Sequence, residues 1–262
     1  MNESTPPPLP QPTAANLLPP LIPSGARGRP VADVPLGANA EERSPITGWA
    51  ATVDALLRQP RRVLYQLQQP GSGPLVRTLL AITIVCALVY GEIIGLFSGG
   101  TQLWAAPLKV VTGLLLTAVI CLPSLHLFAC LSGSDGRLVE FAGRLAGLLA
   151  LTTLILGGFA PVAWVFSQST ASPAAMGALH LGFWGVATAF GLRFLRTAFS
   201  GPSGGRRVAL GVWSAVFILV ALQMTTALRP FLGTSPTLLP AAKEKQFFLG
   251  HWFQCLEGEQ KQ

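Results

Sequence analysis

Charged residues are scarce in this 262-residue chain, at 11% of the total, whereas half of the residues are hydrophobic and the mean hydropathy is +0.52. A soluble domain carries about 25% charged residues, so the chain lacks the polar surface that a water-soluble fold needs. Alternating apolar and polar segments of about ten residues are absent too, which excludes a transmembrane β-barrel. The composition therefore predicts an all-α integral membrane protein.

Catalytic signatures are also missing. The chain contains no GxSxG, HExxH, P-loop or dinucleotide-binding pattern, and its four dispersed cysteines form no CxxC pair. The net charge of +7 comes from basic residues that flank apolar runs rather than from a solvated basic stripe. We therefore expect no enzymatic activity, no cofactor, no structural metal and no nucleic-acid partner.

Five apolar runs are long enough to cross a bilayer, which takes about 20 residues. They predict a five-transmembrane-helix bundle over residues 71–228. Three pairs of small residues four apart are expected at close helix contacts: Gly143 and Gly147, Ala178 and Gly182, and Ala187 and Gly191. The predicted spans are Val76–Phe97, Ala106–Leu131, Leu145–Phe166, Ala174–Leu192 and Val208–Leu228.

Lysine and arginine are unevenly divided between the two sides of this bundle. Thirteen lie on the side of the amino terminus and five on the other. The positive-inside rule then places the amino terminus in the cytoplasm and, with five spans, the carboxyl terminus outside. The excess of arginine over lysine and the richness in Ala, Gly and Leu suggest a bacterium with a GC-rich genome. We expect the bacterial cytoplasmic membrane, or an internal membrane derived from it.

The amino-terminal part divides in two. Residues 1–45 contain eleven prolines and read as a disordered cytoplasmic arm, either a solvated tail or a ligand for an aromatic-lined domain. Residues 46–70 show helical periodicity that Pro60 interrupts, which predicts one or two short amphipathic helices. We expect them in the headgroup region with Arg61 and Arg62 facing anionic lipid; packing against the cytoplasmic face of the bundle is the alternative.

The carboxyl-terminal tail, residues 229–262, carries a second amphipathic pattern. Phe248, Trp252 and Phe253 contribute to the apolar side of a predicted helix that follows Pro240. Such an aromatic helix suits an interfacial anchor and equally suits a docking surface for another subunit of a membrane complex.

Ionisable residues within membrane spans are functional candidates. Glu92 and Lys109 are predicted at similar depth in adjacent antiparallel helices, so an ion pair is expected there. The pair suits a proton or ion site, but also a structural contact or two side chains that extend to the interface. His126 and His180 suit ligation of a haem or pigment, or hydrogen bonds between helices. Their predicted depths differ, which argues against one shared metal.

The run DALLRQPRRVLYQL before the first span and the segment from Pro123 to Trp164 resemble bacterial members of the Yip family, five-span proteins related to Ypt/Rab-interacting proteins. The resemblance covers roughly residues 50–228. It implies five helices and a cytosolic amino terminus, and for bacterial members no known activity. The aspartate-tyrosine-glycine-proline element of eukaryotic members is missing, so a Rab-type partner does not follow.

Three functions are compatible with these features, and the third and weakest, a pigment- or haem-binding subunit, rests on His126 and His180 alone. The first is a non-enzymatic membrane scaffold or accessory subunit that meets other subunits through the proline-rich arm or the outer tail. The second is a small transporter or channel that uses Glu92 and Lys109.

Overall fold

The computed structural model describes residues 35–98, 100, 102–131, 133, 136–169, 172–199 and 204–227. Within these ranges the chain is helical and contains no strand. The helices are α1 (Ala40–Arg43), α2 (Trp49–Arg58), α3 (Pro60–Leu67), α4 (Gly73–Ser98), α5 (Gln102–Leu131), α6 (Leu138–Ser169), α7 (Pro173–Ala198) and α8 (Gly204–Ala227).

Four helices, α4 to α7, are long and apolar enough to cross a membrane, which confirms four of the five predicted spans. In α8 the apolar segment found among the described residues is Val208–Met224, which is shorter than those four, so the fifth span stays a prediction. The helices also extend past the predicted runs. For example, α6 begins at Leu138 rather than Leu145, because Glu140 fits a helical first turn and lies 4.0 Å from Arg144.

The long helices pack in a continuous set. Helix α4 lies between α5 and α6, α7 packs on the other side of α6, and α8 packs on α5. Trp213 of α8 fixes the last contact, since its indole N–H lies 3.3 Å from the Cys121 carbonyl oxygen and 3.2 Å from the Ser124 hydroxyl of α5. One hydrophobic core runs through this set.

Glycines allow close approach at the α6–α7 contact. A Cβ on Gly147 would lie 2.7 Å from the Phe194 ring, and a Cβ on Gly191 would overlap the Thr152 hydroxyl. Two of the predicted small-residue pairs, Gly143 with Gly147 and Ala187 with Gly191, therefore contribute buried residues to the bundle. The third pair differs, because Ala178 and Gly182 are exposed and nothing lies within 4 Å of a Cβ on Gly182.

The two short helices α2 and α3 pack against one end of the bundle. Proline ends the first pattern as predicted, since α2 stops at Arg58 and Pro60 occupies the first turn of α3. Their apolar residues form a second core with the start of α4, the start of α6 and the end of α7. The buried contributors from α2 and α3 are Ala55, Leu56, Val63, Leu64 and Leu67. The packing alternative, rather than exposure of the arginine side to lipid, describes these helices.

The boundary of the proline-rich arm at residue 45 needs correction. Residues 35–45 are part of the fold: they contain α1 and lie against α3. We call residues 35–67 the platform, and the end of the bundle that it covers the platform end. The opposite end, where α4 ends and α5 and α7 begin, is the distal end.

Candidate functional site

A buried hydrogen bond joins α4 and α7 near the distal end. The hydroxyl oxygen of Tyr90 lies 2.6 Å from Nδ1 of His180, and the two rings meet edge to face with centroids 5.5 Å apart. Tyr90 is fully buried and His180 is 6% exposed. Because α4 and α7 each pack on α6 rather than along each other, this side-chain bond links two helices that are not close packing partners.

Lys109 of α5 lies in the same layer. A Cβ on Gly91 would lie 2.5 Å from the Cα of Pro107, so residues 90–91 of α4 and 107–109 of α5 share one depth. Lys109 is 3% exposed. Three ionisable side chains from three helices, those of Tyr90, Lys109 and His180, are thus buried at about two helical turns from the distal end.

Glu92 does not join this layer. The ion pairs formed in the described part of the chain are Arg58–Asp54, Arg61–Glu42 and Arg144–Glu140, and Glu92 is exposed. The expected Glu92–Lys109 pair is therefore not formed. Glu92 and Lys109 do lie at a similar depth along α4 and α5, but successive residues of a helix point about 100° apart around its axis. Gly91 faces Pro107, so Glu92 is directed away from that contact.

The two histidines occupy separate places. His126 lies near the end of α5, where its ring meets Phe141 with centroids 5.1 Å apart and lies within 3.8 Å of the Cys130 sulfur. His180 lies near the start of α7 and bonds to Tyr90. This confirms that they sit at different depths. Across the described ranges, no three His, Cys, Asp or Glu side chains are grouped as metal ligands.

An arginine beside two neighbouring aromatic rings is a feature that the sequence did not reveal. The Arg144 guanidinium carbon lies 5.2 Å from the Phe141 ring centre and 5.0 Å from that of Phe199. The rings are nearly parallel, with centroids 5.8 Å apart. The spacing of Phe141 and Arg144 on α6 hints at one contact, but Phe199 follows α7 and is brought in only by the tertiary fold.

On the platform, Arg61 holds the segment before it by an ion pair. Its Nε lies 2.8 Å from a carboxylate oxygen of Glu42, and the backbone N–H of Gly37 donates to the other oxygen. Burial raises the pKa of Glu42, but the hydrogen bonds from Arg61 and Gly37 and the positive charge of Arg61 outweigh it. The net result is a pKa below the ordinary 4.5.

Arg62 binds backbone carbonyl oxygens of the segment before α2. It donates to the carbonyl oxygens of Ser44 and Pro45, at 3.1 and 3.0 Å. Gly37 adds a close contact, since its φ of 84° suits glycine and a Cβ there would overlap the Tyr65 ring. Both guanidinium groups therefore bind the segment 35–45, a role that the sequence did not predict, and their contact with anionic lipid stays a prediction.

The aromatic residues of the tail, Phe248, Trp252 and Phe253, lie outside the described residues, as does the arm before residue 35. No protein-family model, curated protein or solved structure matches the chain.

Proposed function

We propose that the chain is a non-enzymatic membrane scaffold or accessory subunit of a larger membrane complex. The observation that carries this proposal is the platform. Residues 35–46 are bound to α3 by a buried ion pair and several side-chain hydrogen bonds to backbone oxygens, and α3 is buried against three long helices.

This packing fixes residues 35–46 relative to the long helices of the bundle. The arm that precedes residue 35 starts from a segment that is held at a fixed place on the bundle, not from a free linker. At the platform end, the guanidinium groups bind backbone carbonyl oxygens of the segment before α2. Such bonds suit anchoring rather than catalysis. A proline-rich arm held in this way is suited to present a partner at one face of the membrane.

The topology forms part of the same proposal. We infer five spans, with α8 as the fifth, an amino terminus in the cytoplasm of a bacterial cell and a carboxyl terminus outside, as in the Yip family. A reporter fused after Gln262 tests this directly. External activity supports five spans and this orientation, whereas cytoplasmic activity of that fusion, with a cytoplasmic amino terminus, contradicts them.

The scaffold proposal is tested by purification from native membranes in mild detergent. The full chain carrying an amino-terminal tag is expected to retain partner subunits in stoichiometric amounts. A chain that begins at residue 35 reports on the arm, and a chain with Phe248, Trp252 and Phe253 changed to Ala reports on the tail. Loss of partners with either change identifies the interface. A lone protein from every preparation contradicts the proposal.

Arg61→Ala and Arg58→Gln form a matched pair for the platform. Arg61 binds Glu42 with little exposure, whereas the Arg58 side chain is 80% exposed beside Asp54. If the platform positions the arm, Arg61→Ala reduces recovery of partners bound by the arm, and Arg58→Gln leaves recovery unchanged.

A small transporter is the second candidate, and the buried layer of Tyr90, Lys109 and His180 favours it. Ionisable groups inside a membrane bundle frequently mark ion or proton paths. Proton flux into proteoliposomes loaded with a pH-sensitive dye tests this function. Lys109→Gln and Tyr90→Phe are expected to abolish flux, and Glu92→Gln to preserve it because Glu92 is exposed. No flux above empty liposomes contradicts this candidate.

A further inference from the structure

His180 differs from the buried serine and threonine side chains of the bundle. Those hydroxyls donate to the carbonyl oxygen of the preceding turn of their own helix, as do Thr83, Thr117, Thr152, Thr153 and Ser214. His180 uses Nδ1 for Tyr90, and its Nε2 is buried with no hydrogen-bond partner among the described residues.

Counting donors and acceptors gives the tautomer. A neutral imidazole has one N–H and one bare nitrogen. If Tyr90 donates to Nδ1, Nε2–H is the one group left without a partner. If Nδ1–H donates to Tyr90 instead, both the tyrosine O–H and the bare Nε2 are left without partners. Because buried polar groups are nearly always satisfied, the first arrangement is favoured.

We propose that His180 Nε2–H is a hydrogen-bond donor site for an uncharged oxygen acceptor bound inside the bundle, with Tyr90 fixing the donor tautomer. The acceptor is uncharged because a charge removed from water is costly. Two sources share this chemistry, an internal water molecule and the ester carbonyl of a lipid. An Nε2 atom that carries a proton has no lone pair for a metal. The site is therefore distinct from ligation of a haem or pigment through Nε2.

The position of the site supports a ligand from the membrane or the distal end. It lies about two helical turns from the distal end of α7, where the Tyr90–His180 bond joins two helices that pack mainly on α6. The inference concerns a binding site and does not depend on the scaffold proposal.

Nitrogen-15 NMR of the full chain, labelled in histidine and placed in lipid nanodiscs, tests the site. Assignment uses His180→Gln, and His126, which is half-buried near Cys130, is the internal reference. We expect the His180 ring to be protonated at Nε2, with its N–H proton shifted downfield by a hydrogen bond. Tyr90→Phe should raise the fraction protonated at Nδ1, because the donor that holds the tautomer is removed.

Lipid composition then identifies the acceptor. If the downfield Nε2–H signal persists in ether-linked lipids and shows transfer from water protons, the acceptor is water. If it occurs in ester-linked lipids and is lost in ether-linked lipids, the acceptor is the lipid carbonyl. A ring protonated at Nδ1, or an Nε2–H signal without the hydrogen-bond shift in both lipids, overturns the proposal.

Discussion

No side chain separates Gly91 of α4 from Pro107 of α5: a Cβ built on Gly91 would lie 2.5 Å from the Pro107 Cα. Backbone atoms cannot yield as the end of a flexible side chain can. Gly91→Ala should therefore push α4 and α5 apart and lower the free energy of unfolding by about 1–3 kcal/mol.

Denaturation in mixed micelles by added SDS measures this change. Gly158→Ala on α6 is the matched control, because nothing lies within 4 Å of a Cβ at that position. Equal stability of the two variants would contradict the close contact.

The bond between Glu42 and Arg61 should control the attachment of residues 35–46. Glu42→Gln removes the charge that pairs with a guanidinium group of 15% exposure, and hydrogen bonds to charged groups contribute about 1.5–3 kcal/mol. We expect faster hydrogen exchange at the Gly37 amide, measured by NMR, and little change for Asp54→Asn, whose pair with Arg58 is exposed. Equal exchange in both variants would show that the ion pair does not hold the segment.

The same attachment should weaken in acid. The pKa of Glu42 is lowered in the folded chain from the ordinary 4.5, so its contribution is fully present above pH 4.5 and is lost as the pH falls through the lowered value. Exchange of the Gly37 amide, corrected for its intrinsic pH dependence, should accelerate below pH 4.5 in the native chain. In Glu42→Gln this acceleration should be absent; its persistence there would assign the effect to another group.

Arg144 should not be replaceable by lysine. The Arg144 guanidinium group lies near two aromatic rings at once, and the compact ammonium group of lysine cannot match such a planar, extended contact. Arg144→Lys is expected to lower the free energy of unfolding by about 0.5–2 kcal/mol. Arg137→Lys, at an exposed position before α6, serves as the control. A thermal unfolding midpoint equal to that of the control would argue that the rings do not bind the cation.

Substitution of Trp213 tests how α8 is attached to α5. Trp213→Phe keeps an aromatic ring in the core and removes the N–H that reaches Cys121 and Ser124. The expected loss is about 0.5–1.5 kcal/mol, measured by SDS denaturation. Trp164→Phe should be neutral, since Trp164 is 50% exposed. A neutral result at both positions would mean that packing alone holds α8.

Hydropathy and charge predicted the long helices because these depend on local sequence. Each of the four apolar runs, and the break at Pro60, can be recognised from a short stretch of sequence around it. The partner of a side chain depends instead on the angle of each helix about its axis. The sequence predicts the depth of Glu92 but not that Glu92 is directed away from α5. Arg61 and Arg62 resemble any basic pair beside a membrane, and only the fold brings Glu42 and the Ser44 carbonyl oxygen to them.

The site at His180 shows the same division. Sequence identified His180 as an intramembrane ionisable residue, yet Tyr90 carried no signal, since tyrosine is common in apolar helices. The bond between them arises because α6 holds α4 and α7 at a separation that a tyrosine side chain can bridge.

The contact between Trp213 and α5 also bears on biosynthesis. Helices α4 to α7 meet in the nascent chain soon after each emerges, because each packs next to an earlier one. Helix α8 is the last of the described helices to be translated, and it docks on the second long helix rather than on its neighbour in sequence. The α5 surface around Cys121 and Ser124 must therefore remain open, or be shielded by lipid or an insertion factor, until α8 has been translated.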